Sequence, residues 1–352
     1  MKKILFFVSG GCGGSERVTL TIAKMLQQKY DITVIVTSNN KSSISSFIPG
    51  NIKTIFLNED KLHLSAFFKI LKTILSQKPD YVFSSLPLLS SFVIISCKLF
   101  ARKVNVIVRS DNNPSNWIVN NKFTYYLVKY IYPFADKIVI QTPKMMNDYL
   151  NMLGIKKEKC YLRLNPLDIQ NIENGIKEAN PFSDNLQYKY VAVGRWNYQK
   201  GYDLLIKAMK KVVQFNPYSH LYIIGLKPKN EHTAMLDRLI IENNLQDNIH
   251  ELGIQKNPYK YIYYSDCFVL SSRYEGLPNV LIESTYLKKQ AVAFKCIPII
   301  EEIIIDHTNG LCVEPENVDK LAEAMVQIQS MNLNSASPYK PSSANDFYSI
   351  FS

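Results

Sequence analysis

Short apolar runs of strand length, each followed by a segment of helical period, recur along this chain, stop, and then begin again. That interrupted rhythm is what most narrows the folds open to it. Ile4 to Val8, Ile32 to Thr37, Tyr81 to Ser84, Asn105 to Arg109 and Lys137 to Gln141 read as strands, with helices at Ser15 to Lys29 and Ser65 to Gln77. Strands joined through helices imply a parallel sheet with crossover connections. Asp168 to Asn185 is polar and broken by Gly175, Pro181 and Ser183, and reads as a linker region. The rhythm then restarts. Strands are expected at Tyr188 to Val193, His220 to Ile224, Ile249 to Leu252, Asp266 to Leu270 and Ala291 to Phe294, and helices at Tyr202 to Phe215, Thr233 to Asn243, Asn279 to Lys288 and Val318 to Gln329. A chain of 352 residues is long enough for two cores. The expectation is an α/β protein of two domains, 1–170 and 171–330, with parallel sheets facing across a cleft. Residues 331–352, rich in Ser, Asn and Pro, form a polar, poorly ordered tail.

Several function classes drop out early. Lys2 and Lys3 precede only five apolar residues, too few for the hydrophobic region of a signal peptide. The most apolar later stretch, Leu86 to Phe100, is interrupted by Ser90, Ser91, Ser96 and Lys98 and falls short of a membrane span. The six cysteines are scattered without a C-x-x-C pair, so neither a zinc site nor a disulfide framework is suggested, and reduced thiols in the cytoplasm are the default. His63, His220, His232, His250 and His307 show no metal-like grouping.

Two segments of the second half carry chemistry. In S-R-Y-E-G-L-P-N-V-L-I-E a loop runs into a helix, aiming Glu275 and Glu283 into one cleft. Gly276 and Leu277 can close the loop, and Pro278 fits a first helical position, where its missing N–H costs nothing. Free N–H groups at that start, near Asn279 and Val280, can accept a diphosphate, and a carboxylate one turn in can take hydrogen bonds from ribose hydroxyls. An ordinary amphipathic helix with two solvated glutamates would read the same way. Upstream, the strand Tyr190 to Val193 ends at Gly194 and Arg195, with Lys200 and Gly201 before the next helix. An arginine fork and a lysine point charge on one loop can converge on a diphosphate; the plainer alternative is two exposed cations.

Taken with G-G-C-G-G-S-E-R-V near the start, these segments resemble glycosyltransferase family 4, retaining enzymes with two Rossmann-like domains in the GT-B arrangement. The resemblance spans roughly residues 1–325, and Leu164-Asn165-Pro166-Leu167 looks like the strand-end Asn-Pro that precedes the family's interdomain linker. It implies that Arg195 and Lys200 hold the donor diphosphate and neutralise the departing nucleotide. It assigns Glu283 to the ribose and Glu275 to the donor sugar, with Gly276, Leu277 and Asn279 lining the pocket, Ile254 near the base, and Gly13 and Gly14 approaching the donor phosphates. No protein nucleophile, metal or cofactor is implied. The function implied is transfer of a hexose-type sugar, most simply from a UDP-sugar, to a glycan or polyprenyl-diphosphate-linked acceptor in bacterial surface-polysaccharide synthesis. Two departures stand out: where the family has a glycine and a proline after Glu283, this chain has Lys288-Lys289-Gln290, and the family's closing helix that crosses back onto the first domain is represented only by the short polar tail 331–352, a weak or truncated crossover segment. A catalytically impaired protein that binds a glycan or nucleotide is therefore the alternative.

The first loop, Ser9 to Glu16, also admits a dinucleotide-binding reading. Against it, the second strand ends Val36-Thr37-Ser38-Asn39, without the acid that holds an adenosine ribose. Further along, Val108 to Pro114 resembles an acceptor-side loop, with Arg109 and Asn112 as candidates; a capped turn is the equal alternative.

Charge is unevenly placed. Residues 1–170 hold 23 Lys and Arg against 10 Asp and Glu, a balance of +13, whereas the remainder holds 18 against 20. Between Lys98 and Lys144, Arg102, Lys103, Lys122, Lys129 and Lys137 interleave with Trp117, Phe123, Tyr125, Tyr126, Tyr130, Tyr132 and Phe134. That composition suits an anionic membrane surface, and a peripheral position at the inner face of the cell membrane, or else lysines over an aromatic core. A nucleic-acid partner has only the basic charge in its favour and no binding motif, and is not expected.

Overall fold

The structure is a computed structural model and describes residues 1–11, 13–39, 43–182, 188–333 and 339–351. The chain divides into two compact units, one of Met1–Leu167 together with the last residues from Lys340, the other of Asp168–Tyr339. Residues 183–185 of the expected linker, and Cys12 of the first loop, lie outside the described residues.

In the first unit seven strands form one sheet: β1 (Lys3–Val8), β2 (Asp31–Val36), β3 (Lys53–Phe56), β4 (Tyr81–Ser84), β5 (Asn105–Arg109), β6 (Lys137–Ile140) and β7 (Cys160–Leu162). Their order is 3-2-1-4-5-6-7, and every pairing is parallel. Because side chains alternate along a strand, β1 sends Leu5 and Phe7 into one core layer and Ile4, Phe6 and Val8 into the other. This is why β1 is apolar throughout rather than at every second residue. The apolar stretch weighed against a membrane span is the helix Pro87–Phe100, which buries Val93, Ile94 and Cys97 against this sheet. Among the described residues no helix is long and apolar enough to cross a membrane.

The second unit is a six-stranded sheet of β8 (Tyr188–Val193), β9 (Ser219–Ile224), β10 (Ile249–Gly253), β11 (Cys267–Leu270), β12 (Ala291–Phe294) and β13 (Gly310–Val313). Its order, 10-9-8-11-12-13, is parallel throughout. Counted from β8 this is 3-2-1-4-5-6, the doubly wound order, in which the chain reverses direction between β8 and β11. Helices Tyr202–Phe215 and Val318–Gln327 bury Leu205, Met209, Val212, Leu321 and Met325 in one continuous core.

Three details differ from the sequence-based expectations. β3, β7 and β13 are strands of three or four residues whose apolar runs are too short to stand out. Where a family glycine was expected after Glu283, Lys288 adopts a left-handed φ of 54°, the conformation glycine would take at a helix end. The backbone path is kept and the strain falls on a lysine. Most notably, the polar tail returns to the first unit. Helix Ala344–Tyr348 carries Phe347 into the core beside Ile350 and Phe351, all three buried among Ile4, Phe6, Tyr81 and Phe83. Lys137 Nζ donates to the Ile350 carbonyl at 2.6 Å, and Arg163 Nε to the Asp346 carbonyl at 2.8 Å. The polar average of the segment hides three apolar residues at i, i+3 and i+4. Residues 334–338 and 352 lie outside the described part.

Candidate functional site

Adjacent strands β8 and β11 flank the switch point of the second sheet, and both chemistry-bearing segments leave from their C-terminal ends. Beyond β8 the chain passes Gly194 and Arg195, makes a 3-10 turn at Tyr198–Lys200, and enters the helix Tyr202–Phe215. Beyond β11 it passes Ser271 to Glu275 and enters the helix Asn279–Tyr286. Open α/β sheets place ligands in this position.

The two loops are pressed together. Gly201 has φ 62°, and a Cβ there would lie 2.1 Å from the Ser271 carbonyl oxygen, so only glycine allows the approach. Ser271 Oγ donates to the Lys200 carbonyl at 2.8 Å. A Cβ on Gly194 would meet the Lys200 side chain at 2.7 Å; the glycine thus clears the lane along which that lysine reaches forward. The outcome is a salt bridge: Lys200 Nζ stands 2.6 Å from Glu275 Oε1. Glu275 is 6% exposed and also accepts from Ser272 Oγ at 2.7 Å and Gln199 Nε2 at 3.5 Å.

Other expected residues take less uniform positions. Arg195 is exposed at the end of β8, and Glu283 is half-buried on the helix Asn279–Tyr286. Gly276 and Leu277 are buried within the loop, while Ile254 is exposed just past Gly253, whose φ is 64°. Pro278 is not the first helical residue but the cap before it; its carbonyl accepts from Leu281 N at 3.0 Å and Ile282 N at 3.2 Å. The Asn279 N–H is not held open for an anion either, since it donates to the Leu277 carbonyl at 3.0 Å. A loop this tight satisfies its own first donor.

In the first unit Gly13 caps the helix Gly14–Leu26 in an extended conformation, and Gly14 opens it. Glu16 folds back into this loop, with Ser9 Oγ donating to its carboxylate. Arg109 is fully buried at the end of β5, donating from Nη2 to Asn165 Oδ1 at 2.7 Å and from Nη1 to Ser15 Oγ at 3.4 Å. Burial brings its guanidinium down to about 10 and pushes the nearby Asp111 carboxyl up to about 6. Asn112 forms the capped turn, its Oδ1 accepting from Asn113 N at 2.8 Å and Asn116 Nδ2 at 3.0 Å. The basic and aromatic stretch divides: Trp117, Tyr125 and Tyr132 are core residues, whereas Phe123, Tyr126, Tyr130 and Phe134 are exposed. Lys98 is held by Asp136 at 2.6 Å.

Two family matches cover the chain, one over each unit. The glycosyl transferases group 1 family matches residues 176–340, and glycosyltransferase family 4 matches residues 12–171. An uncharacterised glycosyltransferase of Methanocaldococcus jannaschii is 31% identical over 82% of this chain and 75% of its own length. The chain belongs to the group 1 glycosyltransferases. This glycosyltransferase is also 28% identical, over 92% of its length and 89% of the relative's, to the N-acetylgalactosamine-N,N'-diacetylbacillosaminyl-diphospho-undecaprenol 4-alpha-N-acetylgalactosaminyltransferase of Campylobacter jejuni. Among solved structures, Anabaena Alr3699/HepE in complex with UDP and glucose superposes with a TM-score of 0.79 at 16% identity, covering 99% of this chain and 94% of that one. The fold is GT-B, built from two Rossmann-like α/β units.

The sequence alone did not single out Ser272, Gln199, Asp203 or Arg273. Arg273 donates to Asp203 at 2.7 and 2.8 Å, and the only trace of this in the sequence is an arginine two residues before Glu275 and an acid in the first turn after Lys200.

Proposed function

We propose that this glycosyltransferase is a retaining, metal-independent enzyme that moves a hexose-type sugar from a UDP-sugar to a glycan or polyprenyl-diphosphate-linked acceptor in bacterial surface-polysaccharide assembly. The observation that carries the reading is the contact between Lys200 and Glu275 at the switch point, where a cation and a carboxylate from two loops are held together. A donor of this class offers a diphosphate and a ring of hydroxyls, and the site offers one group for each. Arg195 and Lys200 take the diphosphate and stabilise the charge that develops on the departing UDP. Glu275 accepts from sugar hydroxyls, Glu283 from the ribose, and Ile254 lies against the base. Gly276, Leu277 and Asn279 line the pocket. Residues 1–170 serve the acceptor, with Arg109 and Asn112 on its side, and 171–330 serve the donor. Support for UDP comes from the Anabaena structures that hold UDP, glucose or UDP-glucose, and support for a lipid-linked acceptor comes from the diphospho-undecaprenol substrate in the Campylobacter enzyme's name.

Such an acceptor lies at the inner membrane face, and the exposed aromatic and basic residues of the first unit suit an anionic surface there. A panel of sugar nucleotides screened by thermal shift, followed by product analysis with lipid-linked acceptors, tests the assignment. Stabilisation by one UDP-sugar and transfer from it bear the proposal out. Transfer from a non-uridine donor, or an inverted product, overturns that part of it.

A further inference from the structure

Behind the Lys200 and Glu275 pair lies a side chain that touches both loops. Arg273 is 8% exposed, and its fork lies flat on the Asp203 carboxylate, Nη1 to Oδ1 at 2.8 Å and Nη2 to Oδ2 at 2.7 Å. Its Nε donates to Glu316 Oε2 at 2.9 Å. Burial by itself would raise the Asp203 carboxyl, but hydrogen bonds and charge from Arg273 outweigh it and leave that group below its ordinary value. An ion pair serving only to tie a helix to a loop would end there. This one continues: Nη1 also donates to the Tyr198 carbonyl at 2.9 Å, the Tyr198 ring centroid lies 4.1 Å from the guanidinium carbon, and the Arg273 backbone N–H donates to the Gln199 carbonyl at 2.8 Å. Tyr198 and Gln199 are the two residues before Lys200 in its 3-10 turn. From the other side, Gln199 Nε2 donates to the Tyr274 carbonyl at 3.0 Å, next to Glu275.

Lys200 reaches its partner on a flexible four-carbon stem, so where its ammonium sits depends on how firmly its backbone is held. We propose that Arg273 is a positioning residue for donor binding: by gripping Asp203, the Tyr198 carbonyl and the Gln199 carbonyl at once, it fixes the Lys200 loop against the Glu275 loop and sets the separation at which the two present to a nucleoside diphosphate. The role rests on the reading of Lys200 and Glu275 as donor-site groups. Lysine is not expected to replace Arg273, because its donors all sit on one nitrogen, whereas the guanidinium reaches Glu316, both Asp203 oxygens and the Tyr198 carbonyl from three separate nitrogens.

The test is calorimetric titration of the full-length protein with UDP, across Arg273→Gln, Arg273→Lys, Asp203→Asn, Lys200→Ala and the Arg273→Gln/Lys200→Ala double variant. Each arginine variant is expected to weaken UDP about tenfold, while the double variant binds no more weakly than Lys200→Ala alone, because the arginine acts through the lysine. A purely structural arginine would shift the melting temperature but show no such coupling. Should Arg273→Gln fail to fold, Asp203→Asn paired with Lys200→Ala reads the same coupling. Folded Arg273 variants with wild-type UDP affinity, or losses that multiply in the double variant, overturn the positioning role alone. Wild-type affinity in Lys200→Ala overturns the donor-site reading and this role with it.

Discussion

Lys200 Nζ and Glu275 Oε1, 75 residues apart in sequence, are held 2.6 Å apart by two loops that only glycine at 201 allows to touch. Glu275 is buried, so deleting the cation leaves a buried carboxylate without its counter-charge. Lys200→Met is expected to cost roughly 1 to 3 kcal/mol of unfolding free energy, and adding Glu275→Gln to recover most of it, because removing both charges leaves no unpaired buried group. Denaturant titration of the two variants checks this. A double variant as unstable as the single one would mean that the pair is not what holds the loops.

Donor binding separates the roles of the rim residues. Glu283→Ala and Arg195→Ala each remove a charged group that is half-buried or exposed, so neither opens a core cavity. Both are expected to fold normally and to weaken UDP-sugar binding by roughly 1.5 to 3 kcal/mol, the worth of a hydrogen bond to a charged group. Titration of both decides it: wild-type affinity removes the residue from the donor site.

Much of the second unit was legible because its signals are local. β8, β12 and the helix Tyr202–Phe215 fall where their apolar periods put them, and the loops that follow β8 and β11 carry the expected Arg, Lys and Glu. What stayed hidden was relational. Nothing in the sequence says that Arg273 lies on Asp203, because the partners are 70 residues apart and meet only through the order of β8 and β11. The Asn279 N–H was misjudged for a similar reason. A helix start read from sequence offers open donors, whereas the actual turn closes that one onto Leu277. The tail was missed because averaging over Ser, Asn and Pro dilutes Phe347, Ile350 and Phe351.

That tail gives a sharp stability prediction. The Phe351 ring contacts Tyr81 at 5.5 Å, Tyr30 at 5.7 Å, Phe83 at 6.2 Å and Phe6 at 6.5 Å, and is fully buried. Phe351→Ala is expected to destabilise the first unit by roughly 3 to 5 kcal/mol, through lost transfer energy and the cavity left behind. Equilibrium unfolding followed by near-ultraviolet circular dichroism reads it. A loss under about 1 kcal/mol would mean that the terminal segment is not part of the core.

Asp111 makes the first unit sensitive to acid in an unusual direction. Burial raises its carboxyl from 3.8 to about 6, against the pull of Arg109, so the folded chain holds this proton more tightly than the unfolded one. Stability from this group is therefore fully present below about pH 4, declines as pH rises through about 6, and is absent above. Asp111→Asn, neutral at every pH, is expected to be more stable than the parent at pH 7.5 by up to ~3 kcal/mol and to lose that advantage at pH 4. Thermal unfolding of both proteins across that range checks the sign; an advantage that does not shrink toward acid would assign Asp111 another role.

The membrane proposal can now be confined to one face. Phe123, Tyr126 and Tyr130 are 67%, 52% and 63% exposed and occupy positions i, i+3 and i+7 of the helix Lys122–Ile131, with the last two rings stacked at 6.3 Å. Lys122, the first residue of that helix, is exposed, as are Arg102 and Lys103 just past the helix Pro87–Phe100, while Lys98 is taken by Asp136. Each cation near an anionic surface contributes about 1 kcal/mol, and screening limits its reach to roughly 8 Å at physiological salt, so several must act together with the rings. In flotation assays the protein is expected to bind vesicles containing phosphatidylglycerol and to ignore zwitterionic ones. Glutamate at 102, 103 and 122 together should abolish this binding, and Phe123→Ala with Tyr130→Ala should weaken it even at low salt, where charge alone would suffice. Binding that survives the charge reversals would place the contact elsewhere. No association at low salt would remove the membrane from this enzyme's partners and leave the donor assignment, which stands on the second unit, untouched.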